Sequence, residues 1–173
     1  MKVKVYEQDT KIEVITDYST KFIRKAKNLS GKWNKSKSLW EFDIKNKKYV
    51  LDALQKIFYE NDTEKIERVD VIVDLQKYLK EKNKKNFGNA IEIFNRSAGT
   101  RFNRDSQVKL NNDCIIVEGD FCEWGGSIRH PQIGDVEGVI LKMNNIPKKQ
   151  VEEEIKKYNL TCMTIIEEDQ IRE

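Results

Sequence analysis

The spacing of apolar positions changes period several times in the first sixty residues. Val3 and Val5 alternate with lysines, and Ile12 and Val14 alternate with Lys11 and Glu13. A period of two predicts two short strands, joined through a turn at Gln8-Asp9-Thr10. The period then lengthens. Phe22, Ile23, Ala26 and Leu29 fall on one face of a helix. Ser19 stands where a hydroxyl can accept from an orphan amide of the first turn. Gly31 stands where a left-handed residue would close the helix. Trp40, Phe42 and Ile44 alternate again and predict a third strand. Asn46 is placed to cap a second helix, whose apolar face is Val50, Leu51, Leu54, Ile57 and Phe58. Two helices of this kind can cover one side of a small sheet.

Residues 60–68 read as a polar linker. Val69, Val71 and Val73 open a new strand, Tyr78 and Leu79 end a short helix, and Lys80 to Asn86 reads as a solvated loop. Ile91 and Ile93 predict a further strand. Val108 and Leu110, followed by Ile115 to Val117, suggest a hairpin through Asn111-Asn112-Asp113. Residues 119–138 form a long irregular stretch containing Gly119, Gly125, Gly126, Gly134 and Gly138. Val139 to Met143 is a strand. Pro147 suits a first helical turn, where its missing amide costs little. Val151, Ile155 and Tyr158 give that helix its buried stripe, and Thr161 to Ile166 forms the last strand. The expected fold class is α+β, with a hairpin-helix-strand-helix module over 1–62 and a strand-rich α+β domain over 63–173 that carries the Gly-rich loop 119–138.

Composition narrows the function classes. The 173 residues are 38% hydrophobic and 35% charged, and no run approaches the roughly 20 apolar residues of a membrane span. The N-terminus alternates at once and lacks the apolar stretch of a signal peptide. These features lead to the expectation of an intracellular, cytoplasmic protein with no membrane partner. Cys114, Cys122 and Cys162 are odd in number and irregularly spaced, unlike a disulfide framework. Residues 1–62 carry 14 Lys/Arg against 9 Asp/Glu, a balance of +5, whereas residues 63–173 carry 18 against 20, a balance of −2. The two parts therefore present different surfaces.

Several residues of the first part form a pattern of their own: Phe22, Ala26, Lys27, Gly31, Lys32, Trp33 and Asn34, then Trp40, Phe42 and Asp43, then Val50 and Leu54. This pattern resembles a small module of phage and mobile-element proteins, and more distantly the HARP domain of DNA-fork-remodelling enzymes. The resemblance covers about a third of the chain. It implies a host-cell cytoplasmic setting and, through that setting, an accessory or anti-defence role. The helicase motor that accompanies the fork-remodelling domain has no counterpart here, so remodelling is not implied.

Four constellations carry candidate chemistry. Lys21, Arg24, Lys25, Lys27, Lys32, Lys35 and Lys37 cluster within seventeen residues beside Trp33. Cations neutralise phosphates and an exposed indole stacks on an unpaired base; the plainer alternative is a solvated helix face with a structural Trp. Trp33 is expected in a polar turn and Trp40 in the core. The second constellation is Gly125-Gly126-Ser127 with Arg129, near Arg101 and Arg104. Amides freed by glycine can cradle an anion, although no Walker or dinucleotide spacing is present. The third is His130, the only histidine, which lacks the surroundings of a triad or a zinc site. The fourth is Glu152, Glu153 and Glu154 among lysines, a set of solvent-facing helix pairs. Asp120, Glu123, Asp135 and Glu137 flank the glycine-rich loop without the spacing of a calcium loop.

The expectation is a non-enzymatic binding protein without cofactor or metal. Its partner would be nucleic acid or a nucleic-acid-handling complex, contacted through Arg24, Lys25, Lys27, Lys32, Trp33 and Lys35. The Lys80–Lys85 loop could supply a second, mobile basic surface. Two alternatives stand beside this reading. One is sequestration of a phosphorylated nucleotide near Arg101, Arg104, Gly125, Gly126, Ser127 and Arg129. The other is a purely protein-binding inhibitor.

Overall fold

The computed structural model describes residues 3–166. The chain divides into two compact units, Met1–Ile66 and Glu67–Glu173, and both combine helices with antiparallel sheets, an α+β architecture.

In the first unit, β1 (Lys4–Glu7) and β2 (Lys11–Ile15) form the expected hairpin. Helix α1 (Thr20–Asn28) follows, and Ser19 Oγ accepts the Phe22 amide at 3.2 Å. Strands β3 (Lys32–Asn34) and β4 (Leu39–Asp43) complete a sheet of order β1-β2-β4-β3. Helix α2 (Lys47–Phe58) closes the unit. Alternation puts Ile12, Val14, Trp40 and Phe42 on one face of the sheet. They pack with Phe22 and Ala26 of α1 and with Val50, Leu54, Ile57 and Phe58 of α2 in one core.

Several local expectations are corrected. Trp33 lies on an edge strand rather than in a turn, because Lys32–Asn34 pairs with β4. The left-handed residue closing α1 is Ser30 (φ 57°), not Gly31. The Ser30 amide donates to Lys27 O and the Gly31 amide to Ala26 O, so the closing motif falls one residue earlier. Gly31 is required for space instead: a Cβ there would run into Phe42 Cε1 and lie 2.9 Å from Ala26 O. Asn46 makes no side-chain cap on α2. Its amide group donates to Leu29 O at 3.2 Å, while Asp43 caps the intervening 3-10 turn over Ile44–Asn46 by accepting the Lys45 amide. Ile44 thus leaves the strand. The stretch 60–68 is not a free linker. The Asp62 carboxylate accepts the Val5 amide at 3.0 Å and Lys4 Nζ at 3.2 Å, and Arg68 already belongs to a strand.

In the second unit, β5 (Arg68–Asp74) leads directly into α3 (Leu75–Glu81), with Asp74 capping through the Lys77 amide at 2.9 Å. Strands β6 (Ala90–Ile93), β7 (Arg96–Thr100) and β8 (Lys109–Leu110) form a three-stranded sheet. Strand β9 (Cys114–Glu118), β10 (Ile140–Pro147), helix α4 (Lys148–Tyr158) and β11 (Met163–Ile166) complete the unit. The larger sheet runs β11-β5-β10-β9, all antiparallel. Register brings Val73, Leu141 and Met163 side by side, and likewise Val71, Met143 and Ile165, so one face contributes a continuous apolar band to the core.

The hairpin expected across Asn111-Asn112-Asp113 does not form. β8 pairs with β7 and β9 pairs with β10, so the two segments belong to different sheets. Pro147 ends β10 and Lys148 begins α4, one residue later than expected. Tyr158 is 41% exposed rather than buried, because the Lys82 ammonium, 3.1 Å from its ring centroid, covers it in place of core.

Candidate nucleic-acid interface

The N-terminal signal resolves into a concrete surface. A pocket of about 540 Å³ opens between the start of α1 and the β3 edge of the sheet. Phe22, Trp33 and Trp40 line it, together with Tyr18 and Asp17 from the β2–α1 connection. The sequence builds this pocket in a simple way. Trp33 and Trp40 are direct partners across β3–β4, so both indoles project to the helix-bearing face, with ring centroids 5.5 Å apart. Phe22 meets Trp40 edge-on at 6.4 Å, an arrangement favoured by the ring quadrupoles. Trp40 is buried and acts as the floor, whereas Trp33 and Tyr18 remain 51% and 56% exposed and form the rim.

Around this mouth the predicted cations separate into groups. The nine-residue α1 carries Lys21, Arg24, Lys25 and Lys27 and no acid. Lys27 stands one turn beyond Ile23, a pocket residue, and therefore on the same flank; Arg24, three positions from Lys27, adjoins it. Lys25 points about 160° away from Lys27 around the helix. Lys32 pairs with Glu41 in register and so faces the opposite side of the sheet from Trp33. Lys35 lies exposed in the β3–β4 turn. Adjacency in sequence therefore joined Lys32 to Trp33, and strand alternation parts them.

The ion pairs sharpen the picture. On the far face of the sheet Lys11 binds Glu13 and Glu41, and Lys37 binds Glu13 at 2.9 Å. Hydrogen bonds from Lys11 and Lys37 lower the Glu13 pKa, hydrogen bonds from Lys11 and Asn34 lower that of Glu41, and those to Glu13 and Glu41 raise that of Lys11. These charges are satisfied within the fold. Among the described residues Arg24, Lys25, Lys27, Lys32 and Lys35 form no ion pair, so their charge is available to an external anion.

The residues of the nucleotide alternative are arranged differently. Arg101 is fully buried. Its guanidinium donates to the carbonyl oxygens of Ser106, Cys122, Glu123 and Ile133, which makes it a clamp between loops and removes it from any ligand. Arg104 is held by its neighbour, Nε to Asp105 Oδ1 at 2.8 Å. The glycine-rich segment is a small hairpin. The Gly125 amide donates to Arg104 O, the Ser127 amide to His130 O and the Gln132 amide to Gly125 O. These three amides are taken up by carbonyls within the fold, and the chain path explains the glycines: a Cβ on Gly125 would collide with Gln132 O, and Gly126 has φ 76°. Ser127 Oγ accepts the His130 backbone amide at 3.1 Å, so it faces the turn and not an imidazole. Arg129 sits at the exposed tip.

The proposed second basic surface is also reduced. Lys82 donates to Glu154 at 2.6 Å and its side chain is 10% exposed, and Lys84 lies over Tyr78 at 5.8 Å. Among the described residues no group of three or more His, Cys, Asp or Glu gathers as a metal site, and no helix is long and apolar enough to cross a membrane.

Sequence reasoning missed Asp17 and Tyr18 and the pocket itself. An aromatic residue placed directly before the Ser19 cap was the available signal. The chain is thus a two-unit α+β protein whose first unit has an aromatic pocket, with Arg24 and Lys27 on the adjoining flank of α1 forming no ion pair among the described residues. The chain matches no protein-family model, and no curated protein or solved structure is found similar to it.

Proposed function

We propose that the protein is a non-enzymatic binding protein whose N-terminal unit holds single-stranded nucleic acid. One unstacked base enters the aromatic pocket beneath Trp33, and the phosphates on either side run along the flank of α1 that bears Arg24 and Lys27. The observation that carries this reading is the coincidence of an aromatic-lined pocket with cations that have no ion-pair partner among the described residues. Stacking supplies sequence-tolerant affinity and the cations supply the salt-dependent part. Double-stranded nucleic acid fits less well, because its bases are already stacked and cannot reach the pocket. The resemblance of the first unit to a module of mobile elements and fork-remodelling enzymes points the same way, and an accessory or anti-defence protein acting on a nucleic-acid-handling complex is the setting we propose for it.

Fluorescence anisotropy with labelled single- and double-stranded oligonucleotides tests the proposal. Single strands should bind more tightly at low salt than at physiological salt. Trp33→Ala should weaken binding by about 1–3 kcal/mol without loss of fold, since the indole is half exposed. Replacing Arg24 and Lys27 by Ala should lower the salt slope by about 0.7 for each phosphate that is no longer neutralised. Absence of binding at low salt would remove the proposal and favour a protein partner.

A second reading has one observation of its own. Phe102, Trp124 and Ile128 of the second unit are 67%, 65% and 78% exposed on loops that Arg101 holds rigid. Exposed aromatics on a stiff support are suited to anchoring a protein partner, and Glu118, Asp120, Glu123, Asp135 and Glu137 around them disfavour nucleic acid there.

A further inference from the structure

We infer that the β9 edge of the second unit accepts an added strand: a short extended segment of a partner protein, with lysine or arginine at alternate positions. The inference goes beyond the nucleic-acid reading, which concerns the first unit, and does not depend on it. In the sheet order β11-β5-β10-β9, strand β9 has a neighbour on one side only. Such an edge offers backbone groups to any extended chain, and proteins blunt it with lysine, proline or a bulge. β9 reads Cys-Ile-Ile-Val-Glu, with neither lysine nor proline. Its one such device is the register shift opposite Ile140 and Leu141, where Val117 is the extra residue. The regular edge is therefore short and suits a short segment.

The register fixes where the backbone groups point. The Asn144 amide donates to Asp113 O at 2.8 Å, one residue ahead of the Cys114–Met143 pair. Bonded and non-bonded pairs alternate along an antiparallel ladder. Ile115 and Lys142 are therefore a bonded pair, and Ile116 turns its amide and carbonyl away from β10. Among the described residues no hydrogen bond from another segment reaches Ile116. Ile115 and Val117 on either side are 50% and 52% exposed, apolar contacts for alternate side chains of an incoming strand. Charge selects the occupant. A Cβ on Gly119 would collide with Gly138 O, so Glu118, Asp120 and Glu137 gather at the end of β9. All three are exposed and form no ion pair among the described residues. The chain has no lysine or arginine from Asn111 to Ile128. A second copy would bring the same acids to this edge, whereas a basic segment is complementary to them.

The experiment uses the full chain and a labelled heptapeptide of alternating lysine and valine. Anisotropy reads binding, and hydrogen exchange reads the Ile116 amide. The peptide should bind, more weakly as salt rises, and should slow exchange at Ile116. Glu118→Gln, Asp120→Asn and Glu137→Gln together should weaken it about tenfold, the effect of three exposed ion pairs at their usual strength. Trp33→Ala should leave it unchanged; a loss there would move the peptide to the first unit and overturn the inference. A lysine–proline heptapeptide carries the same charge but cannot pair as a strand, and equal binding of it would overturn strand addition. Equal binding of a glutamate–valine heptapeptide would overturn the basic partner. Should the triple variant fail to fold, the three peptides on the unaltered protein decide. Dimerisation of the protein alone that slows exchange at Ile116 would assign the edge to a second copy and overturn the inference, as would absence of peptide binding at low salt.

Discussion

At residue scale, Ser30 and Gly31 divide between them two tasks that one glycine often performs. Ser30 carries the left-handed backbone (φ 57°) and Gly31 carries the close approach to Phe42 and to Ala26 O. The consequences of substitution are opposite. Gly31→Ala should destabilise the first unit by about 1–3 kcal/mol, the range for overpacking a filled site. Ser30→Gly should stabilise it by about 0.5–1 kcal/mol, because glycine adopts the left-handed region without steric cost. Urea unfolding followed by tryptophan fluorescence checks both, since Trp33 and Trp40 report on this unit. A destabilised Ser30→Gly would show that the serine side chain itself contributes.

At element scale, the Glu81 carboxylate at the end of α3 fastens the approach to β11. It accepts the Thr161 amide at 2.9 Å, the Thr161 hydroxyl at 2.6 Å and the Cys162 amide at 3.1 Å. Partial burial pushes Glu81 upward, but the bonds from Thr161 and Cys162 outweigh it and hold the pKa at about 2, against an ordinary 4.5. The Cys162 thiol beside it is pushed up to about 12, by burial first and by Glu81 second. A depressed folded pKa means that the ionised carboxylate favours the native state. That contribution is fully present above about pH 4.5 and is lost as pH falls towards 2. Unfolding of the wild type should therefore become easier across this window, with a steeper dependence than in Glu81→Gln. Equal pH slopes in the two proteins would remove Glu81 as the source. The clasp sits immediately before Met163, where β11 begins to pair with β5.

At the scale of the whole molecule, the two units have separate cores, with no described residue common to both clusters. Their charged side chains also serve different ends. In the first unit, Arg24 and Lys27, which form no ion pair among the described residues, stand on the flank of α1 beside an aromatic pocket. In the second, the buried Arg101 is enclosed by backbone oxygens and shapes the loops. Arg101→Met would leave the carbonyls of Ser106, Cys122, Glu123 and Ile133 without this donor. It should cost the second unit at least about 3 kcal/mol, measured as a shifted urea midpoint, while the oligonucleotide affinity proposed for the first unit should be retained. Arg101→Lys should rescue little, since an ammonium has three donors and no planar fork. Loss of oligonucleotide binding in Arg101→Met would place part of the interface in the second unit.

Periodicity alone determined most of the elements, because local spacing dictates which face of a helix or strand is apolar. The first hairpin, the Ser19 cap, the stripes of α1 and α2, the valine strand β5 and the closing helix and strand follow from residues close in sequence, and so does the α+β class. Short or polar strands escaped: β3 is Lys-Trp-Asn and β7 is Arg-Ser-Ala-Gly-Thr, and neither alternates in a recognisable way until its partner supplies the pairing. The candidate site was half legible. Composition marked the basic, tryptophan-bearing stretch, and only tertiary structure decided which members act together. Strand alternation turned Lys32 away from Trp33, helix rotation set Lys25 apart from Lys27, and the packing of α1 against the sheet brought Asp17 and Tyr18 to the same mouth. The glycine-rich segment is the converse case. Its composition suits an anion cradle, but the Gly125, Ser127 and Gln132 amides bond to carbonyls, and burial made Arg101 a clamp. Sequence records which groups are present; the direction in which each points is fixed by contacts between distant segments.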